Sequence, residues 1–581
     1  MARWLFPTSD RQAAGSLAAA LGISAATARV LVRRSLASPD DARRFLHPSL
    51  DQLHDPLSLR DMPEAVARLE RAIRAREKIL IYGDYDVDGT MSVVLLTTAI
   101  RRAGGDVRCH VPHRLKEGYG MRPEVVETAA TQGVTLIVSV DTGIRAAEVV
   151  RRAAELSIDV IVTDHHLPDA DLPPAFAVVN PNRPGCSYPE KNLCGAGVAF
   201  KLAQALFTAM GWPADRVRKI TGSFLKLVAI ATVADVVPLR GENRIMVKHG
   251  LDGLRDVRNV GLRALLEVAG FTANTAPNAR QVAFQIAPRI NAAGRMDTAE
   301  AVIELFLATD PHRARALAQQ LHEQNAERRQ VEAAILEACE RFPMDASTCA
   351  LVYYSEEWHR GVLGIVASRL IERFHRPVFV LGRNAGDGLA QGSGRSIPAF
   401  HLLDALESMR DLFVKFGGHE FAAGVTLEAA RVDEFRARFN ACAAARLRPE
   451  DFEATLDIDA ILDLREITDP VAEELFALAP FGRGNPPPLF AALDVEVAAP
   501  PVVMKEKHLR ITVRRDGRIL TLKAWNFAQR AAEFSPGARI DIAFTIEEDA
   551  YSASRGYAPW AAILGDARPK TCRNPGASAS I

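Results

Sequence analysis

Three acidic residues, Asp84, Asp86 and Asp88, stand at alternate positions in the stretch GDYDVDG, which ends on Gly89. Carboxylates at this spacing can surround a divalent cation, and the order D-x-D-x-D-G opens the calcium-binding loop of an EF-hand. That loop needs a bidentate Glu at its twelfth position, where this chain has Leu95. The stretch therefore indicates either a cation site of another kind or a solvated acidic turn.

The neighbouring residues predict where these acids lie. The preceding ILIYG is typical of a buried strand, and the following TMSVVLLTTAIRRAGG is long and apolar enough for a helix that ends on a glycine pair. Further strands are predicted downstream, and their apolar parts are continuous, which favours a parallel sheet covered on both faces. The expected fold class is therefore α/β. The predicted strands are 78–84, 106–112, 135–141, 159–166 and 176–181.

Further ionisable side chains follow the later strands of this predicted sheet. Asp141 ends one strand in SVDTG, and Asp164, His165 and His166 end the next. Asp235 lies in the nearly apolar helical segment VAIATVADVVPL. The carboxyl ends of parallel strands meet at one edge of a sheet, so these groups and the three acids should converge there. Converging carboxylates repel one another, and oxygen ligands with one or two imidazoles suit a pair of Mn²⁺ or Mg²⁺ ions.

The rest of the chain predicts three further parts. Residues 311–342 lack glycine and are dense in helix formers, which indicates a long connecting helix. A second α/β unit follows, with the glycine-rich stretches GDGLAQGSGRS and GGHEFAAG. Short alternating strands around a turn at Asp516-Gly517 indicate a small β-barrel. The predicted parts are an N-terminal helical cap (1–50), a first α/β domain (51–310), the connecting helix (311–342), a second α/β domain (343–448), a barrel (449–565) and a disordered tail (566–581).

The composition excludes several classes of protein. Lys+Arg and Asp+Glu both number 71, so the net charge gives no global signal for nucleic acid and any polyanion site must be local. No two of the 7 cysteines have C-x-x-C spacing, so neither a zinc site nor a disulfide framework is indicated, and a reduced cytoplasmic setting is expected. No signal peptide and no apolar run approaching the ~20 residues of a membrane span are visible, so no membrane partner is expected.

The motifs GDYDVDG, SVDTG, TDHH and ADVVPL, in this order, resemble those of the DHH phosphoesterase superfamily. The stretches HRGVLGIVASRL, GSGRS and GGHEFAAG resemble the DHHA1 domain that accompanies it. The length and the barrel, which is similar to an OB fold, point to the bacterial branch of single-strand-specific 5′→3′ DNA exonucleases. The resemblance covers about residues 50–560 and implies a DHH and a DHHA1 domain joined by the long helix. It also implies release of 5′-mononucleotides in recombination and repair, with single-strand-binding protein and a RecQ-type helicase as partners.

The resemblance assigns roles to the ionisable residues. Asp84 is expected to act as a further ligand or proton acceptor, and His166 is expected near the scissile phosphate; both are therefore predicted to be catalytic. Tyr82 stands where some smaller family members have a histidine ligand, which argues against a pyrophosphatase-like metal cage. The expected ligands of two Mn²⁺ or Mg²⁺ ions are Asp86, Asp88, Asp141, His165 and Asp235.

Local basic and polar clusters are expected to bind nucleic acid. The glycines of GSGRS and GGHEFAAG are expected to let backbone N–H groups approach phosphates, and Arg395 should grip a 5′-terminal phosphate with help from Arg114. The barrel should bind single strands through a basic groove. The expected substrate-binding residues are Arg114, Tyr119, Arg289, Asn291, Arg295, Ser393, Arg395 and His419. The expected DNA-binding residues of the barrel are Lys505, Lys507, Arg510 and Arg514.

Two other functions are weighed against the exonuclease. A DHH phosphodiesterase of short oligonucleotides or cyclic dinucleotides would not need so large a chain or the extra barrel. A non-catalytic DHH scaffold would have lost motif acids, and none is missing here. The sequence therefore favours the exonuclease.

Overall fold

The computed structural model describes most of the chain in two compact units. Unit 1 combines the N-terminus with the C-terminal part of the chain, and unit 2 holds the residues between them except for one short segment. The described residues are 3–7, 10–114, 117–118, 120–345, 347–383, 388–549 and 560–569. Unit 1 comprises Met1–Gln52, Pro238–Arg244 and Thr455–Ile581, and unit 2 comprises Leu53–Val237 and Ile245–Ala454.

Unit 1 begins with one strand and three helices that start where the sequence offers a cap. In chain order these are β1 (Arg3–Leu5), α1 (Arg11–Leu21), α2 (Ala25–Arg33) and α3 (Pro39–Leu46). Asp10, Ser24 and Ser38 each precede a helix and accept a hydrogen bond from a backbone N–H of its first turn, which satisfies a donor that the helix leaves open. Among the described residues, no single helix has the length and apolar composition of a membrane span, although α1 and α2 meet those criteria when taken together across a bend of 119°.

The first part of unit 2 alternates helices and strands. In chain order these are α4 (Met62–Ala75), β2 (Lys78–Tyr82), α5 (Val87–Arg102), β3 (Asp106–His110), α6 (Pro123–Thr131), β4 (Val134–Val140), α7 (Ala147–Glu155), β5 (Asp159–Thr163) and β6 (Ala177–Val179). The strands form one parallel sheet in the order β3-β2-β4-β5-β6. Leu80 and Tyr82 pack with α6 and α7 on one face, while Ile79 and Ile81, also buried, point to the other. The predicted α/β class and all five predicted strands are confirmed.

A helical layer follows the sheet and ends in a long helix. In chain order it contains α8 (Gly195–Ala209), α9 (Ala214–Ala234), α10 (Gly241–Gly253), α11 (Val260–Val268), α12 (Ala279–Gln281), α13 (Ala287–Met296), α14 (Glu300–Leu307) and α15 (Pro311–Glu340). Helices α8 and α9 pack against α5, and α11, α13 and α14 pack along α15. The 30 residues of α15 span about 45 Å, and Asp310 caps its N-terminus. The predicted connecting helix is confirmed.

The second α/β part of unit 2 contains a mixed sheet. In chain order its elements are β7 (Leu351–Ser355), α16 (Leu363–Phe374), β8 (Val378–Arg383), β9 (Leu389–Arg395), α17 (Leu402–Glu407), β10 (Phe413–Gly418), β11 (Ala422–Glu428) and α18 (Val432–Arg446). The strand order is β10-β11-β9-β8-β7, and β9 pairs along its length with both β8 and β11. Its backbone N–H groups are therefore committed to the ladder, and the prediction that GSGRS offers them to a phosphate is wrong.

The glycines of GSGRS have a packing role instead. A Cβ on Gly392 would lie 2.0 Å from the carbonyl oxygen of Val380 on β8, and a Cβ on Gly394 would lie 2.4 Å from the ring of Phe379. Only glycine leaves room for these close approaches within a central strand. The stretch GGHEFAAG likewise forms the end of β10, a turn and the start of β11, rather than an anion-binding loop.

Unit 1 continues with the predicted barrel. In chain order its elements are β12 (Thr455–Asp457), β13 (Ala460–Ile461), α19 (Asp469–Phe476), β14 (Phe490–Val497), β15 (Val502–Met504), β16 (His508–Arg515), β17 (Arg518–Ala524), β18 (Arg539–Glu548) and β19 (Trp560–Pro569). Pairings run from β14 through β18, β19, β17 and β16 back to β14, so five strands close a ring. Asp516 and Gly517, both with positive φ, form the two-residue turn between β16 and β17, as predicted.

Two predicted boundaries change. Ala14, Leu17 and Leu31 of the N-terminal helices share one core with Phe490 and Phe544 of the barrel, so the segment predicted as a separate cap belongs to the same unit. Apolar side chains of short helices need a partner surface, and the barrel supplies it. Strand β19 also extends to Pro569, beyond the predicted start of the tail at 566, because it pairs with β18 up to that residue. The rest of the predicted tail, 570–581, lies outside the described residues.

Candidate metal centre and nucleic-acid interface

The three acids of GDYDVDG lie at the junction of β2 and α5. Asp86 caps α5, and its Oδ1 accepts a hydrogen bond from the N–H of Gly89 at 2.9 Å. A Cβ on Gly89 would lie 2.6 Å from the carbonyl oxygen of Asp84, so this position has no room for a side chain. The tight turn therefore places Asp84, Asp86 and Asp88 together at the carboxyl end of β2.

Helix α8 supplies a binding site for one of these carboxylates. The two oxygens of Asp88 accept hydrogen bonds from the N–H groups of Gly195, at 2.6 Å, and Ala196, at 2.8 Å, which lie in the first turn of α8. The partial positive charge of a helix N-terminus stabilises a carboxylate in this position. A Cβ on Gly195 would lie 2.6 Å from the Cβ of Asp141, so glycine is required for the approach. Sequence reasoning missed these hydrogen bonds to Asp88, because Gly195 lies 107 positions after Asp88 in the chain.

Asp164 fixes the two histidines that follow it. Its carboxylate accepts hydrogen bonds from the backbone N–H groups of Ile144 at 3.0 Å, His165 at 2.7 Å and His166 at 3.1 Å. It also accepts one from Nδ1 of His166 at 2.7 Å. Fully buried, Asp164 fixes the backbone of both histidines and orients the ring of His166, a role that the prediction did not give it.

Two asparagines complete the support of the histidines. The side-chain amide of Asn180, which is fully buried, donates to the carbonyl oxygen of His166 at 2.9 Å, and that of Asn182 donates to the carbonyl oxygen of His165 at 2.7 Å. Both were missed by sequence reasoning, although the stretch NPN directly follows β6 at the same edge of the sheet. Polar side chains after a buried strand were therefore the available signal.

The predicted metal and catalytic residues converge on His165. Its Nε2 lies 3.2 Å from Oδ1 of Asp141, 3.8 Å from Oδ2 of Asp88 and 3.8 Å from Oδ2 of Asp235. Three groups each have ligand atoms within 4.8 Å of one another: Asp141, His165 and His166; Asp88, His165 and Asp235; Asp84, Asp86 and Asp141. Together they contain all seven residues predicted for the centre.

Burial and mutual repulsion raise the pKa values of the acids. Burial, followed by the charge of Asp86, raises the pKa of Asp84 to about 7. Burial and the neighbouring carboxylates also raise the pKa values of Asp86 and Asp141. Burial lowers the pKa of His165. Burial alone would lower the pKa of His166 too, but its hydrogen bond to Asp164 and the charges of the neighbouring carboxylates together raise it to about 9.

These properties fit divalent cations. Oδ1 of Asp84 and Oδ1 of Asp141 are buried and have no hydrogen-bond partner among the described residues. A bound Mn²⁺ or Mg²⁺ would be ligated by these carboxylate oxygens and by one or two imidazoles. Its positive charge would offset the repulsion that raises the pKa values of the acids. The residues of the three groups can hold two such ions.

Two arginines, Arg114 and Arg395, are close enough for their charges to interact, and the charge of Arg114 also acts on Asp84. The pKa of Arg395 is lowered by burial and by the charge of Arg114, and within the described part of the chain Arg395 forms no ion pair with a carboxylate. A Cβ on Gly364, in the first turn of α16, would lie 3.2 Å from Nη2 of Arg395 and 3.5 Å from Oγ of Ser393. Arg114 lies over the ring of Tyr85, 4.9 Å from its centroid. The guanidinium of Arg395, the hydroxyl of Ser393 and the first turn of α16 therefore lie close together.

A cavity of about 1010 Å³ adjoins the two histidines. It is lined by His165, His166, the loop after β4, the start of α7 and His419. The predicted residue His419 therefore lines the same cavity as His165 and His166. Tyr119, also predicted, falls outside the described residues.

The predicted substrate-binding residues of QIAPRINAAGRM lie in different surroundings, one buried by backbone contacts and two at a cavity. Arg289 is buried and donates to the carbonyl oxygens of Gln285 and Val268, so its predicted substrate contact is not supported by the geometry. Arg295 donates to the carbonyl oxygen of Gly361 at 3.0 Å, and burial lowers its pKa to about 10. Asn291 and Arg295 line a second cavity, of about 520 Å³.

Three family models match the chain in the order of its parts. The DHH family, N-terminal domain, matches residues 78–232; the DHHA1 domain matches 347–445; and the RecJ OB domain matches 458–557. The matched segments correspond to the parallel sheet, the mixed sheet and the barrel. The predicted domain types are confirmed.

Relatives extend this match over nearly the whole chain. The single-stranded-DNA-specific exonuclease RecJ of Bacillus subtilis is 38% identical over 548 residues, which cover 93% of this chain and 68% of the relative. RecJ of Dickeya dadantii is 38% identical over 568 residues, covering 94% and 96%. This chain belongs to the RecJ family. The crystal structure of RecJ in complex with Mn²⁺ from Thermus thermophilus matches with a TM-score of 0.83 at 32% identity, covering 99% of this chain and 81% of that chain.

The part that matches the RecJ OB domain carries an exposed basic face. Lys505, Lys507 and Arg510 are exposed, whereas Arg514, predicted to bind DNA, is paired with Glu496 at 2.5 Å. Trp525, which the prediction missed, is 47% exposed, and its ring packs edge-on against His508. An exposed indole beside exposed cations is the combination that binds single-stranded nucleic acid by stacking and charge.

Replacing Asp141 with asparagine should abolish Mn²⁺ binding and raise the melting temperature of the metal-free protein by a few degrees. Asparagine keeps the shape and tolerates the φ of 58° at this position, but it removes a buried charge. Calorimetric titration with Mn²⁺, and melting in EDTA, measure the two effects. Asp106→Asn, at the exposed start of β3, is the matched control and should change neither. Wild-type Mn²⁺ affinity in Asp141→Asn would contradict the assignment.

Proposed function

We propose that this chain is a metal-dependent exonuclease that removes 5′-mononucleotides from single-stranded DNA in the 5′→3′ direction, in recombination and repair. The observation that carries the proposal is the complete set of seven metal-centre residues, assembled at one sheet edge in a chain of the RecJ family. Within this function, Asp86, Asp88, Asp141, His165 and Asp235 hold Mn²⁺ or Mg²⁺. Two such ions would supply an activated water and neutralise charge on the phosphate.

The chain's own residues act around that centre. His166, kept protonated by Asp164, donates to an oxygen of the scissile phosphate and stabilises the charge that develops there. Asp84, whose pKa of about 7 lies near neutrality, accepts the proton of the attacking water. The buried position of Asp84 and the hydrogen bonds of Asp164 hold both groups in place for this exchange.

The 5′ end is recognised by side chains rather than by backbone N–H groups. Arg395, Ser393 and Arg114 bind the terminal phosphate, since two like charges close together favour an anion between them. The terminal nucleotide occupies the cavity beside His165, His166 and His419. A phosphate held next to the metal centre sets the cleavage one nucleotide from the end.

The barrel binds the strand further from its end. Lys505, Lys507 and Arg510 contact phosphates, and Trp525 stacks on a base, which requires no particular sequence. Arg514 contributes less, because Glu496 already neutralises it. Single-strand-binding protein and a RecQ-type helicase are proposed as partners from the resemblance of the motifs, and the cytoplasm as the compartment.

The activity test uses one single strand labelled at either end, incubated with Mn²⁺, Mg²⁺ or EDTA. The 5′-labelled strand should release a labelled mononucleotide at once, whereas the 3′-labelled strand should shorten stepwise, and EDTA should stop both. Release from the 3′ end would contradict the proposal. Cleavage confined to very short oligonucleotides or cyclic dinucleotides would favour the phosphodiesterase alternative, and Mn²⁺ binding without any cleavage would favour the scaffold.

Arg395→Gln should reduce the preference for a 5′-phosphate over a 5′-hydroxyl by about 10–100-fold, since charged hydrogen bonds contribute about 1.5–3 kcal/mol. Rates on the two substrates measure the ratio, and Mn²⁺ titration should show unchanged metal affinity. Arg383→Gln, at the exposed end of neighbouring strand β8, is the control and should keep the wild-type ratio. An unaltered ratio in Arg395→Gln would remove this residue from end recognition.

Replacing Lys505, Lys507 and Arg510 together with alanine should weaken binding to a long strand and reduce its salt dependence by a slope of about 2, at ~0.7 per phosphate contact. Trp525→Ala should weaken binding at every salt concentration without changing the slope, because stacking releases no counterions. Arg514→Ala, which removes an already paired charge, is the comparator and should have a smaller effect. Fluorescence anisotropy at several salt concentrations measures all three, and an equal loss in Arg514→Ala would contradict this division.

A further inference from the structure

The loop between β3 and α6 carries Arg114, one of the two arginines proposed to bind the 5′-terminal phosphate. This loop comprises residues 111–122, of which 115, 116 and 119 lie outside the described part of the chain. The guanidinium of Arg114 lies over the ring of Tyr85, and within the described residues it forms no hydrogen bond and no ion pair. Stacking of a cation on a ring contributes only about 0.5–2 kcal/mol, so the position of this charge depends on the backbone of the loop as well.

Tyr85 gives the guanidinium a fixed surface beside the metal centre. It lies between Asp84 and Asp86 in the turn from β2 to α5. A Cβ on Gly294 of α13 would lie 2.7 Å from the carbonyl oxygen of Tyr85, so the turn and this helix are in close contact. Arg114 is therefore aligned with the metal centre only as long as the loop holds it over this ring.

Glu117 closes the loop on itself around Arg114. Its Oε1 accepts a hydrogen bond from the N–H of His113 at 2.8 Å, and its own N–H donates to the carbonyl oxygen of His113, also at 2.8 Å. Both backbone groups of His113 are thus bound by Glu117. Because Arg114 directly follows His113, these two bonds fix the point at which the arginine leaves the backbone.

The other oxygen of Glu117 connects this turn to the sheet. Oε2 lies 3.5 Å from Nε2 of His110, the last residue of β3. The rings of His110 and Tyr82, the last residue of β2, have centroids 5.1 Å apart, and the hydroxyl of Tyr82 donates to the carbonyl oxygen of Gly120 at 3.3 Å. Arg122 donates to the carbonyl oxygen of Glu117. The turn is therefore held at the carboxyl ends of β2 and β3, the edge at which the metal centre lies.

A positioning role also accounts for an acid in a loop that binds an anion. A carboxylate three positions from Arg114 would weaken the binding of a phosphate by repulsion if its charge faced that phosphate. Here one oxygen of Glu117 is bound by the N–H of His113 and the other lies beside the imidazole of His110. The charge is thus compensated inside the loop while the arginine is left open.

We propose that Glu117 positions Arg114 for the terminal phosphate by closing the turn 113–117 and holding it at the ends of β2 and β3. The inference rests on the proposed function in one respect, the binding of the phosphate by Arg114. It makes Glu117 a positioning residue that contacts neither the metals nor the DNA, and it makes Tyr82 a second anchor of the same loop. Since Glu117 acts through Arg114, loss of either residue should impair the same step.

The test is a double-mutant cycle in the full chain, read as the preference for a 5′-phosphate over a 5′-hydroxyl. Arg114→Gln should reduce this preference about 10-fold or more, and Glu117→Ala about 3–10-fold. The double variant should lose no more than Arg114→Gln alone, because both residues act through one guanidinium. Losses that multiply in the double variant would overturn the inference.

The matched control for this cycle is Glu124→Ala, which removes an exposed acid at the start of α6 and should keep the wild-type preference. Melting curves establish that each variant is folded, and Mn²⁺ titration of Glu117→Ala should show wild-type metal affinity. A loss of Mn²⁺ affinity with an unaltered preference would overturn the inference. Glu117→Gln, which keeps an acceptor for the N–H of His113, should retain more of the preference than Glu117→Ala, and an equal loss in both would contradict the role of this hydrogen bond.

Hydrogen–deuterium exchange separates a failure of this inference from a failure of the proposed function. Glu117→Ala should raise the exchange of a peptide that contains His113, because the N–H of this residue loses its acceptor, whereas Glu124→Ala should not. Unchanged exchange in Glu117→Ala would overturn the inference. Faster exchange together with a wild-type preference in Arg114→Gln would place the failure in end recognition by Arg114 and not in the positioning of its loop.

Discussion

The buried cluster of carboxylates at the edge of the parallel sheet is the constraint on which the rest of the structure depends. Asp84, Asp88 and Asp141 are at most 5% exposed, and burial together with mutual repulsion raises the pKa values of Asp84, Asp86 and Asp141. Collecting these charges costs folding free energy unless protons or cations neutralise them. The fold therefore has to offset part of this cost itself, and it does so with hydrogen bonds from backbone N–H groups.

Those backbone groups come from three places around the cluster. The first turn of α8 donates two N–H groups to Asp88, the N-terminus of α5 donates one to Asp86, and three N–H groups converge on Asp164. Positions 89 and 195 require glycine, because a Cβ there would collide with atoms of Asp84 and of Asp141, respectively. The same arrangement leaves one oxygen each of Asp84 and Asp141 without a hydrogen bond in the described residues, which keeps them available to a metal. Stability and metal binding are thus served by different oxygens.

The sequence predicted those features that depend on local pattern. The strands, the connecting helix and the convergence of the seven ionisable residues follow from the apolar pattern and the polar residues that interrupt it, and Asp141 and His165 meet because parallel strands share an edge. What failed depends on pairing between remote segments. GSGRS has the glycine content of a loop, and it becomes a strand because β8 and β11 pair with it on either side. Ala14 packs with Phe490 only once the barrel has formed. Burial of Arg289 by carbonyl oxygens is of the same kind, since nothing near it in sequence distinguishes a structural arginine from a DNA-binding one.

The path of the chain also limits how unit 1 can be divided. Within this unit the N–H of Leu239 donates to the carbonyl oxygen of Arg483, and Arg244 donates to those of Leu478 and Ala479, so both residues acquire these partners only when the C-terminal part of the chain has folded. A chain cut before the barrel would leave the apolar side chain of Leu239 and the guanidinium of Arg244 without the packing and carbonyl oxygens that bury them. The barrel is therefore more than an added binding module, because the loop 478–485 completes the surroundings of Pro238–Arg244 in the same unit. Point substitutions on its basic face, and not its removal, separate strand binding from the chemistry.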